Sequence, residues 1–119
     1  MRYVILFLLI LSGFAEADSF EDRIASAKVV LDTPEGAKYR KSTDEMLYAE
    51  VPECFSKPGP TKGWFTLVAT ISSLGVATDI KAQPESTLSN CIASFLKSAA
   101  LPEPPSDMYP ILFEVNIVP

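Results

Sequence analysis

The sequence contains no histidine. That excludes imidazole bases, His-containing catalytic triads and histidine metal ligands together. Cysteine is scarce as well: Cys54 and Cys91 are the two present, and two cysteines cannot close a four-ligand zinc site. Positive charge is in short supply, with 10 Lys and Arg against 15 Asp and Glu and a net charge of −5. A nucleic-acid partner would want a basic face, and so would an anionic membrane surface. No apolar run reaches the ~20 residues that a bilayer span needs. No internal repeat or low-complexity segment is visible. These gaps remove most familiar catalytic arrangements, and no cofactor or metal is expected.

What is present is enough for one domain. The chain has 119 residues and is 48% hydrophobic, which allows a real core. Its start reads as a secretory leader. Met1-Arg2 is a short positive beginning, residues 3–11 are unbroken apolar sequence, and Ala15-Glu16-Ala17 is a small-residue cleavage pattern. The expectation is a signal peptide at 1–17 and a mature domain at 18–119, with no stable membrane anchor. No cysteine follows the cleavage point, so no lipid anchor is indicated. Export changes how the cysteines read. An even pair in an oxidising compartment defaults to a disulfide, the alternative being two buried free thiols.

Residues 18–57 read as helical. Ser19 can cap, with Asp22 three residues on as in a capping box. Phe20, Ile24, Ala27 and Leu31 then share one helical face. Thr33 caps a second helix with Pro34 at its first position. Tyr39, Thr43, Met46, Leu47 and Val51 share its apolar face, Gly36 weakens its first turn, and Pro52 stops it. The charged residues Lys38, Arg40, Lys41, Asp44, Glu45 and Glu50 could form a binding site. They read better as a solvated face with i,i+4 pairs, Arg40 with Asp44 and Lys41 with Glu45. Residues 57–63 are a Pro- and Gly-rich linker.

The remainder alternates. Phe65, Leu67, Ala69 and Ile71 form the core face of a first strand. Ser73-Leu74-Gly75 makes a turn in which Gly75 supplies positive φ. Val76, Thr78 and Ile80 alternate with Ala77, Asp79 and Lys81 in a second strand, ended by Gln83-Pro84. Ser86 caps a helix whose stripe is Leu88, Cys91, Ile92, Phe95, Leu96 and Ala99, with Lys97 placed well for the helix dipole. A Cys54–Cys91 bridge would then tie that helix to the sheet from the buried side. Pro102, Pro104 and Pro105 form a rigid connector, with a polyproline ligand as the less favoured reading. Ile111, Phe113, Val115 and Ile117 give a third strand. The fold class is α+β: a small three-stranded sheet in β-β-α-β order, the third strand beside the first, and two N-terminal helices packed on an end or an edge.

Gly63-Trp64-Phe65-Thr66-Leu67-Val68, the turn Ser73-Leu74-Gly75-Val76, Cys91-Ile92 on a helix, and Leu101-Pro102-Glu103-Pro104-Pro105 before a last strand resemble the TonB C-terminal domain family. The likeness covers 63–118 and is nearest to the stand-alone periplasmic relatives of that family. It implies a small sheet carrying a helix, a periplasmic location, and protein partners captured by strand addition at a sheet edge. Two features depart from it, since the chain has no retained anchor and no long Pro-rich spanning linker. Energy transduction is therefore not implied.

Three functions follow as expectations. The first is a periplasmic protein-binding module whose edge at Tyr109, Leu112, Glu114 and Asn116 pairs with an extended peptide from another periplasmic or secreted protein. The second is an inhibitor or immunity protein whose acidity meets a basic enzyme cleft. The third, an enzyme, would have to use carboxylates such as Asp79, Glu85, Glu103, Asp107 and Glu114, or Ser, Lys and Tyr side chains. Surface solubility accounts for those better, so the chain is read as non-catalytic. Trp64 and Tyr109 are aromatic and flank strand ends, which makes them weak anchor candidates.

Overall fold

The computed structural model describes residues 19–55 and 63–117. The expected leader and the linker at 57–62 lie outside the described residues. The first element, α1 (Phe20–Leu31), opens on the capping box. Ser19 Oγ accepts from the Asp22 amide at 3.1 Å, and the Asp22 carboxylate accepts from the Ser19 amide at 3.4 Å. Ala27 and Leu31 are buried, with Phe20 and Ile24 packed against the core.

The chain then turns sharply into α2 (Pro34–Phe55), where Thr33 Oγ1 accepts from the Gly36 amide at 3.0 Å. Gly36 does more than weaken this turn. A β-carbon there would lie 2.2 Å from the Val30 carbonyl oxygen and 2.7 Å from Leu31 Cα, so the two helices meet at a distance only glycine permits. Pro52 does not stop α2, as the sequence suggests, because the helix runs on to Phe55. The missing N–H removes one helical bond, the one to the carbonyl of Tyr48, and only a single turn of helix remains beyond it. Pro52 is exposed, while Cys54 and Phe55 are held against the core.

Three strands follow: β1 (Gly63–Ile71), β2 (Ala77–Gln83) and β3 (Tyr109–Ile117), with α3 (Thr87–Ser98) between the last two. The sheet order is β2-β1-β3, antiparallel throughout, so the third strand lies beside the first as expected. Phe65 faces Val115, Leu67 faces Phe113 and Ile71 faces Tyr109 in one buried layer. On that layer sits α3, opened by a reciprocal Ser86–Ser89 cap and burying Leu88, Ile92 and Leu96.

The opposite face is buried too. Val68 and Leu112, paired across the strands, are 2% and 1% exposed beneath α1. Both N-terminal helices pack on the sheet as expected, but α1 lies on its second face and not on an end or an edge. The helix α1 covers one end of the second face, and α2 passes β3 to reach α3. The cause is visible in the alternation itself, which places two large aliphatics, Val68 and Leu112, side by side on the face that also carries Trp64, Thr66, Thr70, Glu114 and Asn116.

Cys54 and Cys91 are bridged, with Cα atoms 5.7 Å apart. The bridge joins the last turn of α2 to α3, helix to helix, instead of helix to sheet. In β2 the expected alternation is broken. Ala77, not Val76, points into the core, and Ile80 and Ala82 follow it. Asp79, at φ +51°, is an extra residue where the β1–β2 register shifts between Val68 and Thr70. This bulge moves the phase of the strand by one residue.

Candidate functional site

Arg40, Asp44 and Tyr48 recur every fourth residue on α2 and therefore share a face. That face lies along β3. Arg40 Nη2 donates to Glu114 Oε1 at 3.2 Å, and Arg40 Nε lies 3.6 Å from Asp44 Oδ2. The Tyr48 hydroxyl donates to the Glu114 carbonyl oxygen at 2.7 Å, and its ring meets Phe113 edge-on at 4.8 Å. The Arg40–Asp44 pair is the one the sequence suggests, whereas Lys41 and Glu45 form no ion pair. The reach of Arg40 across to Glu114 had no signal in the sequence.

One guanidinium thus serves two carboxylates, and a negative charge is left over. Asp44 Oδ1 is buried without a hydrogen-bond partner. Desolvation pushes the Asp44 carboxyl up, Arg40 opposes this, and the Glu114 charge adds to it. The Tyr48 hydroxyl is also raised, first by burial and then by the Asp44 charge. These groups are partly solvated, so each ion pair stabilises the fold by no more than about 1 kcal/mol.

Beside this cluster the sheet face opens. The helix α1 covers the end of that face near Val68, Thr70 and Pro110. At the other end, Trp64 faces Asn116 and Thr66 faces Glu114. These residues, with Tyr48 and Val115, line a groove of about 650 Å³. Trp64 is 63% exposed and Tyr48 is 49% exposed.

The four residues expected on a binding edge separate here. Glu114 and Asn116 are exposed and line the groove. Tyr109 and Leu112 are buried, Tyr109 edge-on against Tyr39 at 5.4 Å and Leu112 within the core, so neither side chain meets a partner. Trp64 is open as expected of an anchor; Tyr48 is the aromatic that sequence reasoning left out, because it lies on a helix face read as simply solvated.

The edge of β3 is itself blunted. The bond from Tyr48 shows that the Glu114 backbone points away from β1, and by alternation so do Pro110, Leu112 and Asn116. Pro110 has no N–H to offer, and the Glu114 carbonyl is already taken. The other edge, β2, is interrupted by its bulge and carries Asp79 and Lys81, both devices that discourage strand pairing.

The remaining candidates serve structure. Pro104 is buried, and the Tyr39 hydroxyl donates to the Pro102 carbonyl at 2.8 Å, which fits a connector. Burial pushes the Tyr39 hydroxyl up to about 12, with Tyr109 adding to the shift. Asp107 Oδ1 accepts from the Ser73 amide at 2.7 Å, and Asp79 sits in the β2 bulge. Among the described residues no three Asp, Glu or Cys side chains gather to hold a metal. None of their helices is long and apolar enough to cross a membrane. No family model, no curated protein and no solved structure matches this chain.

Proposed function

We propose that this chain is an exported, non-catalytic protein-binding module of the periplasm, and that its contact surface is the groove between α2 and the open ends of β1 and β3. The observation that carries this reading is Trp64, 63% exposed beside a half-exposed Tyr48 in a groove that also holds Glu114 and Asn116. Large aromatics left in water are costly to keep, and they are the side chains that anchor protein interfaces. The secretory pattern of residues 1–17 and the Cys54–Cys91 bridge support an oxidising compartment. A small sheet carrying a helix supports kinship with the TonB C-terminal domain family. Strand addition is not the favoured mode, since Pro110, Tyr48 and the β2 bulge blunt both edges. Side-chain recognition in the groove is.

The test is capture from a periplasmic extract with the chain from Asp18 onward as bait. Trp64→Ala should weaken capture at least about tenfold, the size of a modest interface anchor. Its melting curve should stay near wild type, because the ring packs little. Undiminished capture by this variant would end the reading.

A separate observation favours inhibition of a secreted or wall-degrading enzyme as a second reading. At the far end of the sheet Leu74, Met108 and Val76 are 86%, 59% and 47% exposed. The Ser73–Asp107 hydrogen bond ties the hairpin turn to the segment carrying Met108, which is held at φ +55°. A bulky residue in that region is strained, and such strain is typical of preorganised contact loops. If the tip enters an enzyme cleft, the Leu74→Ser, Met108→Ser double variant should lose inhibition of the captured enzyme while Trp64→Ala keeps it. The opposite pattern would remove the inhibitor reading.

A further inference from the structure

We infer that the groove takes a guanidinium or ammonium group from a basic protein partner, seated against Trp64 and Tyr48 and neutralised by Glu114. The inference rests on the protein-binding reading of the groove and names the chemistry of its partner.

The charge balance comes first. Arg40 is shared between Asp44 and Glu114, and it uses one oxygen of each. Asp44 Oδ1 is buried without a partner. The Glu114 carboxylate, bound to Arg40 through Oε1, is half exposed at the groove wall, so Oε2 remains for an incoming donor. An arriving cation completes the balance; an arriving anion would add a third negative charge to a crowded pair. The whole chain, at −5, favours the same sign of partner at longer range.

The walls agree with this. Trp64 and Tyr48 both line the groove, and the faces of these rings attract cations, tryptophan most strongly. Thr66 and Asn116 add a hydroxyl and an amide oxygen as neutral acceptors. A guanidinium suits the set better than an ammonium, since it can stack on a ring while its edge meets a carboxylate. A sugar could also stack on Trp64, but it would leave the surplus charge unanswered.

The chain has one tryptophan, so Trp64 reports on its own site. The probe is acetyl-Gly-Arg-Gly-amide, followed by the Trp64 indole N–H in a nitrogen–proton correlation spectrum. A saturable shift is expected. The same peptide with citrulline, isosteric and neutral, should bind at least about tenfold more weakly, and added salt should weaken the arginine peptide alone. Glu114→Gln, which keeps a hydrogen-bond acceptor for Arg40, should also lose about tenfold. Equal response to arginine and citrulline, an unchanged response in Glu114→Gln, or saturation by a chito-oligosaccharide in place of the peptide would each overturn the cation assignment. Those outcomes leave the protein-binding reading intact as long as Trp64→Ala still loses partner capture; if that variant captures normally, the reading itself fails.

Discussion

Removing the Cys54–Cys91 bridge is expected to lower the unfolding free energy by about 3–4 kcal/mol. The bridge spans 37 residues, and closing a loop of that length removes this much chain entropy from the unfolded state. A mature chain near 100 residues has only about 5–15 kcal/mol of net stability, so the loss is a large share. Its position adds to the effect. Cys54 lies two residues beyond Pro52, in a last helical turn that a proline weakens, and the link to α3 holds that turn in place. The Cys54→Ser, Cys91→Ser double variant should therefore melt roughly 15 °C or more below wild type. Hydrogen exchange should also show fraying at 51–55 before the sheet opens. A double variant within about 1 kcal/mol of wild type in urea would mean that the packing of α2 on α3 suffices without the covalent link.

The parts of this fold that were legible in the sequence are those fixed by local chemistry. Ser19, Thr33 and Ser86 each announce a helix start, and each accepts the hydrogen bond its position calls for. The alternation of Phe65, Leu67, Ala69 and Ile71 places one core face without help from elsewhere. The order β2-β1-β3 follows from a hairpin plus one crossover helix. What was not legible depends on contacts between distant segments. Asp79 gives no sign in the sequence that it will be the extra residue of a bulge, so the plain alternation of Val76, Thr78 and Ile80 does not hold along β2. Pro52 looks like a stop until the bridge two residues later is known.

The candidate site was legible only in half, for the same reason. Glu114 and Asn116 sit on the outward phase of a strand, and any reading of β3 finds them. Tyr109 and Leu112 belong to the same strand, yet one is buried against Tyr39 and the other within the core. Tyr48 and Arg40 reach Glu114 across 66 and 74 residues of sequence. No periodicity in a single helix encodes that meeting. The Arg40–Asp44 spacing explains a local ion pair fully, which is why the longer reach stayed hidden behind it.

The second large effect is expected at Gly75. Gly75→Ala should destabilise the fold by about 2–4 kcal/mol, from two independent causes. At φ +79° the backbone is left-handed, and a β-carbon there costs about 1–2 kcal/mol. That β-carbon would also lie 2.2 Å from the Leu101 carbonyl oxygen, and the obstacle is backbone, which cannot swing aside. Relief requires the segment at Leu101 to retreat, which breaks the bond from the Leu101 amide to the Gly75 carbonyl at 3.0 Å and uncovers a core residue that is 7% exposed. Losing such a bond adds about 1 kcal/mol. Gly75→Asn separates the causes, because asparagine tolerates the left-handed region but carries the same β-carbon. If the clash dominates, Asn should recover little of the loss in urea unfolding; if strain dominates, it should recover most of it. An alanine variant within about 0.5 kcal/mol of wild type would show that the Leu101 segment yields freely. The turn lies at the far end of β1 from Trp64, so both variants, once folded at low temperature, should shift the Trp64 indole with the arginine peptide as wild type does. A loss of that response would mean that the two ends of the sheet are coupled through β1, and that the hairpin turn helps set the shape of the groove.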